Sequence, residues 1–318
     1  MAEQETITEA DLDAKRETVA ADKKERFLFA HSYWDIVPVL AAAAHFAFDI
    51  WLIAGFRDRP LWVSLLAGCL YAISISWNIN GISHNFIHTP YFKNKYLNYA
   101  FSLLESLAAG FSQSMYHWVH MRHHVGNSDK PDEKGETVDW ISIYRHGKNG
   151  QPENVWSYTF RSFFRDDMEA IYKAIAKRKS FNAAWGIFEV GVFAGLVLAG
   201  LIYDWKAILF FVPFYYLGNC LSFLNGYFEH LGGNPDVPVA WGVSSRDPFY
   251  NWLWFNNGYH AEHHYRPSHH WTKMKQLHDS IAEQQNQKGT HIIDPCHALG
   301  FLDKKNQELL KEVDKVVA

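Results

Sequence analysis

Four groups of histidines are the residues of this chain whose type and spacing could carry out chemistry. The sequence has 318 residues and 18 histidines, many of them in the segments HNFIH, HMRHH, NGYFEH and NNGYHAEHH. The candidate metal ligands are His84, His88, His120, His123, His124, His230, His260, His263 and His264. Because residues i, i+3 and i+4 share one face of a helix, each H-x-x-H-H triplet can present three imidazoles together.

These nine imidazoles exceed the roughly four to six ligands of one metal ion, so they predict two ions. Imidazole suits iron, copper, zinc and nickel. A structural zinc site would normally include cysteines, but Cys69, Cys220 and Cys296 lack the spacing for one. A zinc protease needs glutamate after the first histidine, where this chain has Asn85. Two haem ligands would face each other at membrane depth, whereas these histidines lie at or beyond the ends of the apolar stretches. We favour a pair of redox-active irons.

Four apolar stretches of about 20 residues predict the elements that position these histidines. They run from Ile36 to Phe56, Leu61 to Trp77, Ala183 to Tyr203 and Ala207 to Phe228. The very short joint within each pair predicts an antiparallel helical hairpin. The chain is therefore expected to be an all-α integral membrane protein with four transmembrane helices in two hairpins. A soluble helical protein with long core helices is the alternative, although such helices normally keep a polar stripe.

The side of the membrane follows from the basic residues. Lys23 precedes the first span and Lys173 precedes the third, each with basic neighbours, so both termini and the histidines are expected on the cytoplasmic side. A fifth apolar segment, from Tyr96 to Ser114, could also span. It would then carry His120 and its neighbours about 30 Å away from the other groups. We therefore expect a re-entrant or interfacial helix there, and a cytosolic helical cap that carries the histidines.

Three regions are predicted along the chain: a cytosolic N-terminal helical segment at 1–33, a membrane domain at 34–280 and a cytosolic tail at 281–318. The formal net charge of −4 lacks the basic excess of a nucleic-acid-binding protein. Three cysteines in a chain this long exclude a disulfide-stapled scaffold. The chain has no C-x-x-C pair and no glycine-rich dinucleotide motif, so electrons for redox chemistry must come from a separate protein.

Other polar residues lie near the candidate ligands in the sequence. Glu229 and Glu262 each lie beside candidate histidines and could orient imidazoles from outside. His117 lies three residues before His120 and could join that triplet. The remaining histidines include a set that is expected at the surface: His31, His146, His278, His291 and His297.

The segments HNFIH, HMRHH and HAEHH, around two hydrophobic hairpins, resemble the three histidine boxes of the membrane fatty acid desaturase superfamily. That superfamily also contains alkane hydroxylases. The resemblance covers residues 34–280 and implies a four-span bundle under a cytosolic cap, with two iron ions held by the box histidines and by His230. In animal acyl-CoA desaturases, an asparagine four residues before that last histidine contacts a metal through water. Here Asn225 lies five before it.

The resemblance also implies O2 as oxidant, a fatty acyl substrate (a free acid, a CoA thioester or a carrier-protein thioester) and an external electron donor such as ferredoxin, rubredoxin or cytochrome b5 with its reductase. Fatty acid desaturation is the expected reaction. NGYFEHLG is closer to alkane hydroxylases, and NNGYHAEHHYRPSHHW is similar to bacterial desaturases and terminal-alkene-forming decarboxylases. Hydroxylation of an alkyl chain and oxidative decarboxylation therefore stay as alternatives. A metal transporter or sensor and a membrane scaffold are the non-enzyme alternatives.

Overall fold

The computed structural model describes residues 28–178 and 182–317, so most of the predicted N-terminal segment at 1–33 lies outside the described residues. Within these ranges the protein is mostly helical, as predicted. Two very short strands, β1 (Ser244–Ser245) and β2 (Ile292–Ile293), pair in parallel with Ser244 opposite Ile292.

The first two long helices match the predicted spans closely. Helix α1 covers Ile36–Ala54 and α2 covers Leu61–Trp77. After Trp77 the helix does not end: a π-helical segment, Asn78–Ser83, leads directly into α3, His84–His88. The sequence prediction missed this continuation. Because a π turn inserts an extra residue, it rotates the residues that follow it about the helix axis.

The ambiguous apolar segment forms a short helix and a reversal. Helix α4 (Lys95–Ala109) ends at Gly110, whose φ of 80° lies in the left-handed region that glycine adopts without strain. Helix α5 (Gln113–Gly126) follows at once, with the Ser112 hydroxyl accepting a hydrogen bond from the Met115 backbone N–H. Within the described ranges, α4 is not among the helices long and apolar enough to cross a membrane.

A buried glutamate fixes this reversal against the longest helix, α8 (Ala183–His230). The hydroxyl of Ser102 on α4 donates to the Glu189 carboxylate. The hydroxyl of Ser112 donates to the same carboxylate at 2.7 Å, and the backbone N–H of Ser114 donates at 3.0 Å. Three donors satisfy the buried carboxyl group, so Glu189 holds both helices of the reversal to α8.

The predicted joint of the second hairpin corresponds to a break in α8. Asp204 has non-helical backbone angles, φ −154° and ψ 87°, so two helical segments meet there. Its carboxylate accepts a 2.8 Å hydrogen bond from Nε of Arg57, which lies in the turn between α1 and α2. This contact places both joints at the same end of the bundle. Three described helices could cross a membrane by length and composition: Tyr33–Ala54, Leu61–His88 and Ala183–His230.

Shorter helices complete the fold of the described residues. They are α6 (Val155–Arg161), α7 (Met168–Ala176), α9 (Pro248–Leu253), α10 (His260–Tyr265), α11 (Met274–Lys288) and α12 (Lys304–Val317). The Tyr227 hydroxyl donates to the carbonyl of Glu153 just before α6. Gly300 packs so tightly on Phe228 that a Cβ there would lie 2.4 Å from Cγ of that ring. The last helix buries Val313, so α12 packs on the protein through an apolar side.

Candidate metal centre

The structure brings all nine candidate histidines together in two adjoining groups. In each group the potential ligand nitrogens lie within 4.8 Å of one another. We call the first the five-histidine group: His84, His88, His120, His124 and His263. We call the second the four-histidine group: His123, His230, His260 and His264.

Both H-x-x-H-H triplets are divided between the two groups. On α5, His120 and His124 join the five-histidine group, whereas His123 joins the other. On α10 the division is reversed, since only His263 joins the five-histidine group. Consecutive residues of a helix point about 100° apart, so neighbouring histidines reach different groups. Each of these two helices therefore contributes to both groups.

The nitrogen geometry of the five-histidine group fits a metal ion better than hydrogen bonding. Nε2 of His124 lies 3.0 Å from Nε2 of His120, 3.0 Å from Nε2 of His263 and 3.1 Å from Nε2 of His88. A single ring nitrogen offers either one hydrogen or one lone pair, so it can satisfy only one of these neighbours. A cation between the nitrogens would satisfy all of them.

The four-histidine group has the same character. Nε2 of His260 lies 3.0 Å from Nε2 of His230, and the ring of His123 stands 4.5 Å from that of His230. Nε2 of His264 is buried without a hydrogen-bond partner. Buried polar atoms in folded proteins are nearly always paired, so this nitrogen is available as a ligand.

Burial favours the neutral, metal-binding form in most of these imidazoles. The pKa of His120 and that of His124 lie well below the ordinary value, because burial disfavours the charged ring and neighbouring histidines add repulsion. The pKa values of His260, His263 and His264 are lowered in the same way. Neutral rings leave one nitrogen lone pair free on each side chain.

Three oxygen atoms outside the groups fix the orientation of three rings. Nδ1 of His123 lies 2.7 Å from the buried carboxylate of Asp139. Nδ1 of His84 lies 2.9 Å from Oδ1 of Asn257, and Nδ1 of His264 lies 2.6 Å from Oδ1 of Asn127. In each case Nδ1–H donates outward and Nε2 faces the cluster, which is the tautomer a metal site needs.

Sequence reasoning did not identify these three oxygen acceptors. Asn127 follows the second box within three residues, and Asn257 precedes His260 by three, so proximity was an available signal for both. Asp139 lies in a loop after α5, and nothing in the local sequence marks it. Its role depends on how that loop folds back over His123.

Comparison with known families gives one assignment. The fatty acid desaturase family model matches residues 60–295. The chain belongs to the fatty acid desaturase family. No curated protein matches the sequence. The matched range contains every histidine of both groups, so the family assignment and the geometry concern the same part of this desaturase-family protein.

Four residues other than the nine histidines were expected near the metal ligands. Two of them, Glu229 and Asn225, lie beside the four-histidine group of this desaturase-family chain. Oε1 of the buried Glu229 is 3.6 Å from Nδ1 of His260. It accepts hydrogen bonds from Nδ2 of Asn225 at 2.8 Å and from Nδ2 of Asn257 at 2.7 Å. The carbonyl oxygen of Asn225 accepts from the Tyr250 hydroxyl at 3.1 Å. Asn225 therefore reaches the four-histidine group through Glu229.

The other two of these four residues, Glu262 and His117, do not contact the histidine groups through a comparable network in the described part of the chain. The Glu262 carboxylate faces away, to Nδ1 of His278 at 2.5 Å and the Ser244 hydroxyl at 2.6 Å. Although burial acts to raise it, these hydrogen bonds hold the pKa of Glu262 below its ordinary value. Glu262 thus ties α10 to α11 and β1. His117 is half-buried, with its pKa lowered by burial to about 4, and within the described ranges it belongs to neither group.

One expectation about the remaining histidines is wrong. His297 was expected at the surface, but it is fully buried. Nε2 of His297 lies 2.9 Å from the carbonyl oxygen of Val243, and Nδ1 lies 3.2 Å from the Tyr250 hydroxyl. Burial lowers the pKa of His297 to about 4. A lone histidine in the sequence gives no sign of such packing, because both partners are distant along the chain.

A cavity of ≈ 200 Å³ adjoins both groups, and we call it the metal-centre cavity. Its wall includes His84 and His120 of one group and His123, His230 and His260 of the other. Most of the remaining wall is apolar and aromatic, and it includes Ile79, Phe111, Met115, Ile171 and Phe223. Exposed Met168 also lies in the wall, so the cavity reaches the protein surface near the start of α7.

Proposed function

We propose that this protein is an O2-dependent di-iron oxidoreductase that acts on an unactivated C–H bond of a fatty acyl chain, with desaturation as its reaction. The family assignment supports a fatty acyl oxidoreductase. The observation that carries the proposal is the metal-centre cavity, which is largely apolar and has histidines of both groups in its wall. An alkyl chain in that cavity would lie against both proposed metal sites.

We assign one iron to the five-histidine group and the other to the four-histidine group. Bound iron would supply the reduction of O2 and the removal of hydrogen, which the side chains of this protein cannot perform. In the balanced reaction, two hydrogens of the chain, two external electrons and two protons convert O2 into two waters. An external donor such as ferredoxin, rubredoxin or cytochrome b5 with its reductase would provide the electrons.

The protein's own residues have three tasks in this proposal. Asp139, Asn257 and Asn127 hold imidazoles in one tautomer. The apolar wall places a methylene near the metals and keeps water away. Glu229 has its carboxylate in the same wall, within 3.6 Å of Nδ1 of His260, and so sets the polarity beside one metal site.

We also propose that the bundle crosses the membrane four times. Helix α8 has 48 residues, which corresponds to about 72 Å, or more than twice the hydrocarbon thickness of a bilayer. The break at Asp204 divides it into two segments of spanning length. The basic residues near Lys173 favour a cytoplasmic location for the histidine clusters and for both termini.

The test is mass spectrometry of products from purified, iron-loaded protein. The assay contains O2, an electron donor with its reductase, and a panel of free and thioester fatty acids. An alkene two hydrogens lighter than its substrate is expected, and it should be lost without O2 and in His120→Ala. The matched control, His146→Ala, removes an exposed histidine outside both groups and should keep activity.

The form of the product decides between outcomes. An alcohol carrying oxygen from labelled O2 would replace desaturation with hydroxylation, and a shortened terminal alkene would indicate decarboxylation. Unchanged substrate across the whole panel, with both metals bound, would overturn the acyl assignment.

A further inference from the structure

Tyr215 on α8 lies between two cavities. It forms part of the wall of the metal-centre cavity and also part of the wall of a second, larger cavity of ≈ 480 Å³. This second space, the deep cavity, lies between α1, α2, the end of α4 and both segments of α8. Among the described residues that line it, Asp49 is the one acidic or basic residue, and most of the others are apolar.

The ring of Tyr215 is held in place by the reversal between α4 and α5. Its hydroxyl donates a hydrogen bond to the carbonyl oxygen of Gly110 at 3.0 Å. A Cβ at Gly110 would lie 2.6 Å from Cε2 of that ring, and the φ of 80° already disfavours any other residue. Glycine at this position lets the ring pack directly on the turn. Phe163 makes an edge contact with the same ring, with centroids 6.0 Å apart.

The volumes of the two cavities bear on the role of Tyr215. The metal-centre cavity, at ≈ 200 Å³, is smaller than the roughly 300–1,000 Å³ of typical organic-ligand sites. Joined to the deep cavity, it would reach the middle of that range. Helix α8 rises about 22 Å from Tyr215 to His230. The ring of Tyr215 is therefore distant from the histidine groups along the helix axis. An extended chain that starts at the metals would meet the ring at its far end.

We propose that Tyr215 is a specificity-determining residue that sets the longest alkyl chain the metal-centre cavity accepts. The aromatic ring closes the cavity at its far end, and the deep cavity beyond it is unused space for an apolar chain. This inference rests on the proposed fatty acyl function. It adds the residue that limits chain length and the place where a longer chain would go.

The experiment measures relative kcat/KM for saturated acyl substrates of ten to twenty-two carbons. Tyr215→Ala is expected to raise the value for the longest chains, relative to the wild type's preferred chain, by at least tenfold. Tyr216→Ala is the matched control, since this neighbouring tyrosine lies in neither cavity wall. It should leave the length limit unchanged. Tyr215→Phe keeps the ring and should also keep that limit.

A double variant tests where the extra chain goes. Leu196 lies in the wall of the deep cavity and not in that of the metal-centre cavity, so Leu196→Trp should refill the deep space. Tyr215→Ala combined with Leu196→Trp is expected to return the length limit to that of the wild type. If Tyr215→Ala does not fold, Tyr215→Leu, which also removes the ring, is tested in its place.

The outcomes separate this inference from the proposed function. Product from the wild type, with an unchanged length profile in a metal-replete Tyr215→Ala or Tyr215→Leu variant, overturns the role of Tyr215 alone. A gain that survives Leu196→Trp overturns the use of the deep cavity. Absence of product from every chain with the wild-type protein overturns the proposed function, and this inference with it.

Discussion

Replacing Asp139 with asparagine should weaken one proposed metal site and spare the other. Its carboxylate is fully buried and lies 2.7 Å from Nδ1 of His123. That ring belongs to the four-histidine group. Asp139→Asn changes the shape of the side chain little, but it removes the negative charge that favours Nδ1–H and directs Nε2 to the metal.

The expected magnitude follows from the hydrogen bond. A hydrogen bond to a charged group contributes about 1.5–3 kcal/mol, roughly twice that of a neutral pair. Losing half of this is about 1 kcal/mol, and a factor of ten in affinity corresponds to about 1.4 kcal/mol. The backbone N–H of Ile141 also donates to Asp139 at 2.8 Å, so the amide cannot serve both partners equally well. We expect roughly fivefold weaker metal binding from this loss alone, and up to ~100-fold if the amide turns its NH2 toward the ring.

The assay is competition with a chelator. The metal content of the protein is measured at each chelator concentration, so that two binding steps are resolved. Asp139→Asn should shift one step and leave the other at its wild-type position. Asp129→Asn is the matched control, because Asp129 accepts backbone hydrogen bonds from Val138 and Asp139 in the same loop and, among the residues that the structure describes, has no hydrogen bond to a histidine. Equal shifts in both variants, or wild-type binding in Asp139→Asn, would refute the assigned role.

Two further predictions concern ligands and pH. His263→Ala and His264→Ala alter adjacent residues of different groups. Each single variant should lose about one of two bound ions, and the double variant should lose both. Two ions retained in either single variant would remove that residue from the ligand set. Burial raises the pKa of Glu105 from 4.5 to about 8. Between these two pH values the folded protein keeps a proton that the unfolded chain releases. The free energy of unfolding should therefore fall as pH rises from about 4.5 to about 8. Glu105→Gln should flatten this dependence of the thermal unfolding midpoint between pH 5 and 8; an unchanged pH profile would contradict the assignment.

Helix bounds were the best predicted feature, because they depend on local composition. Runs of apolar residues predicted starts at Ile36, Leu61 and Ala183, and the structure begins helices at each. The short polar joint at Asp204 also predicted the break in α8. The π-helical segment after Trp77 was missed, since no local pattern distinguishes one extra residue per turn from an ordinary helix.

The candidate ligands were predicted as a set, but their division was not. Spacing identifies histidines on one side of a helix, yet which group each ring joins depends on how α5 and α10 are rotated against each other. Asp139 and His297 show the same limit. Their partners are His123 in one case and Val243 and Tyr250 in the other, and these contacts exist only after distant segments pack.

The division of both triplets has a structural consequence for the pair of sites. Because α5 and α10 each contribute to both groups, rotating either helix would disturb both sites at once. Asn127 joins the two helices directly: it ends α5 in the left-handed conformation, with φ 49°, and its side chain reaches Nδ1 of His264 on α10. The residue that terminates one box helix thus orients a ligand on the other. The two proposed metal sites therefore share one positioning framework, formed by α5 and α10.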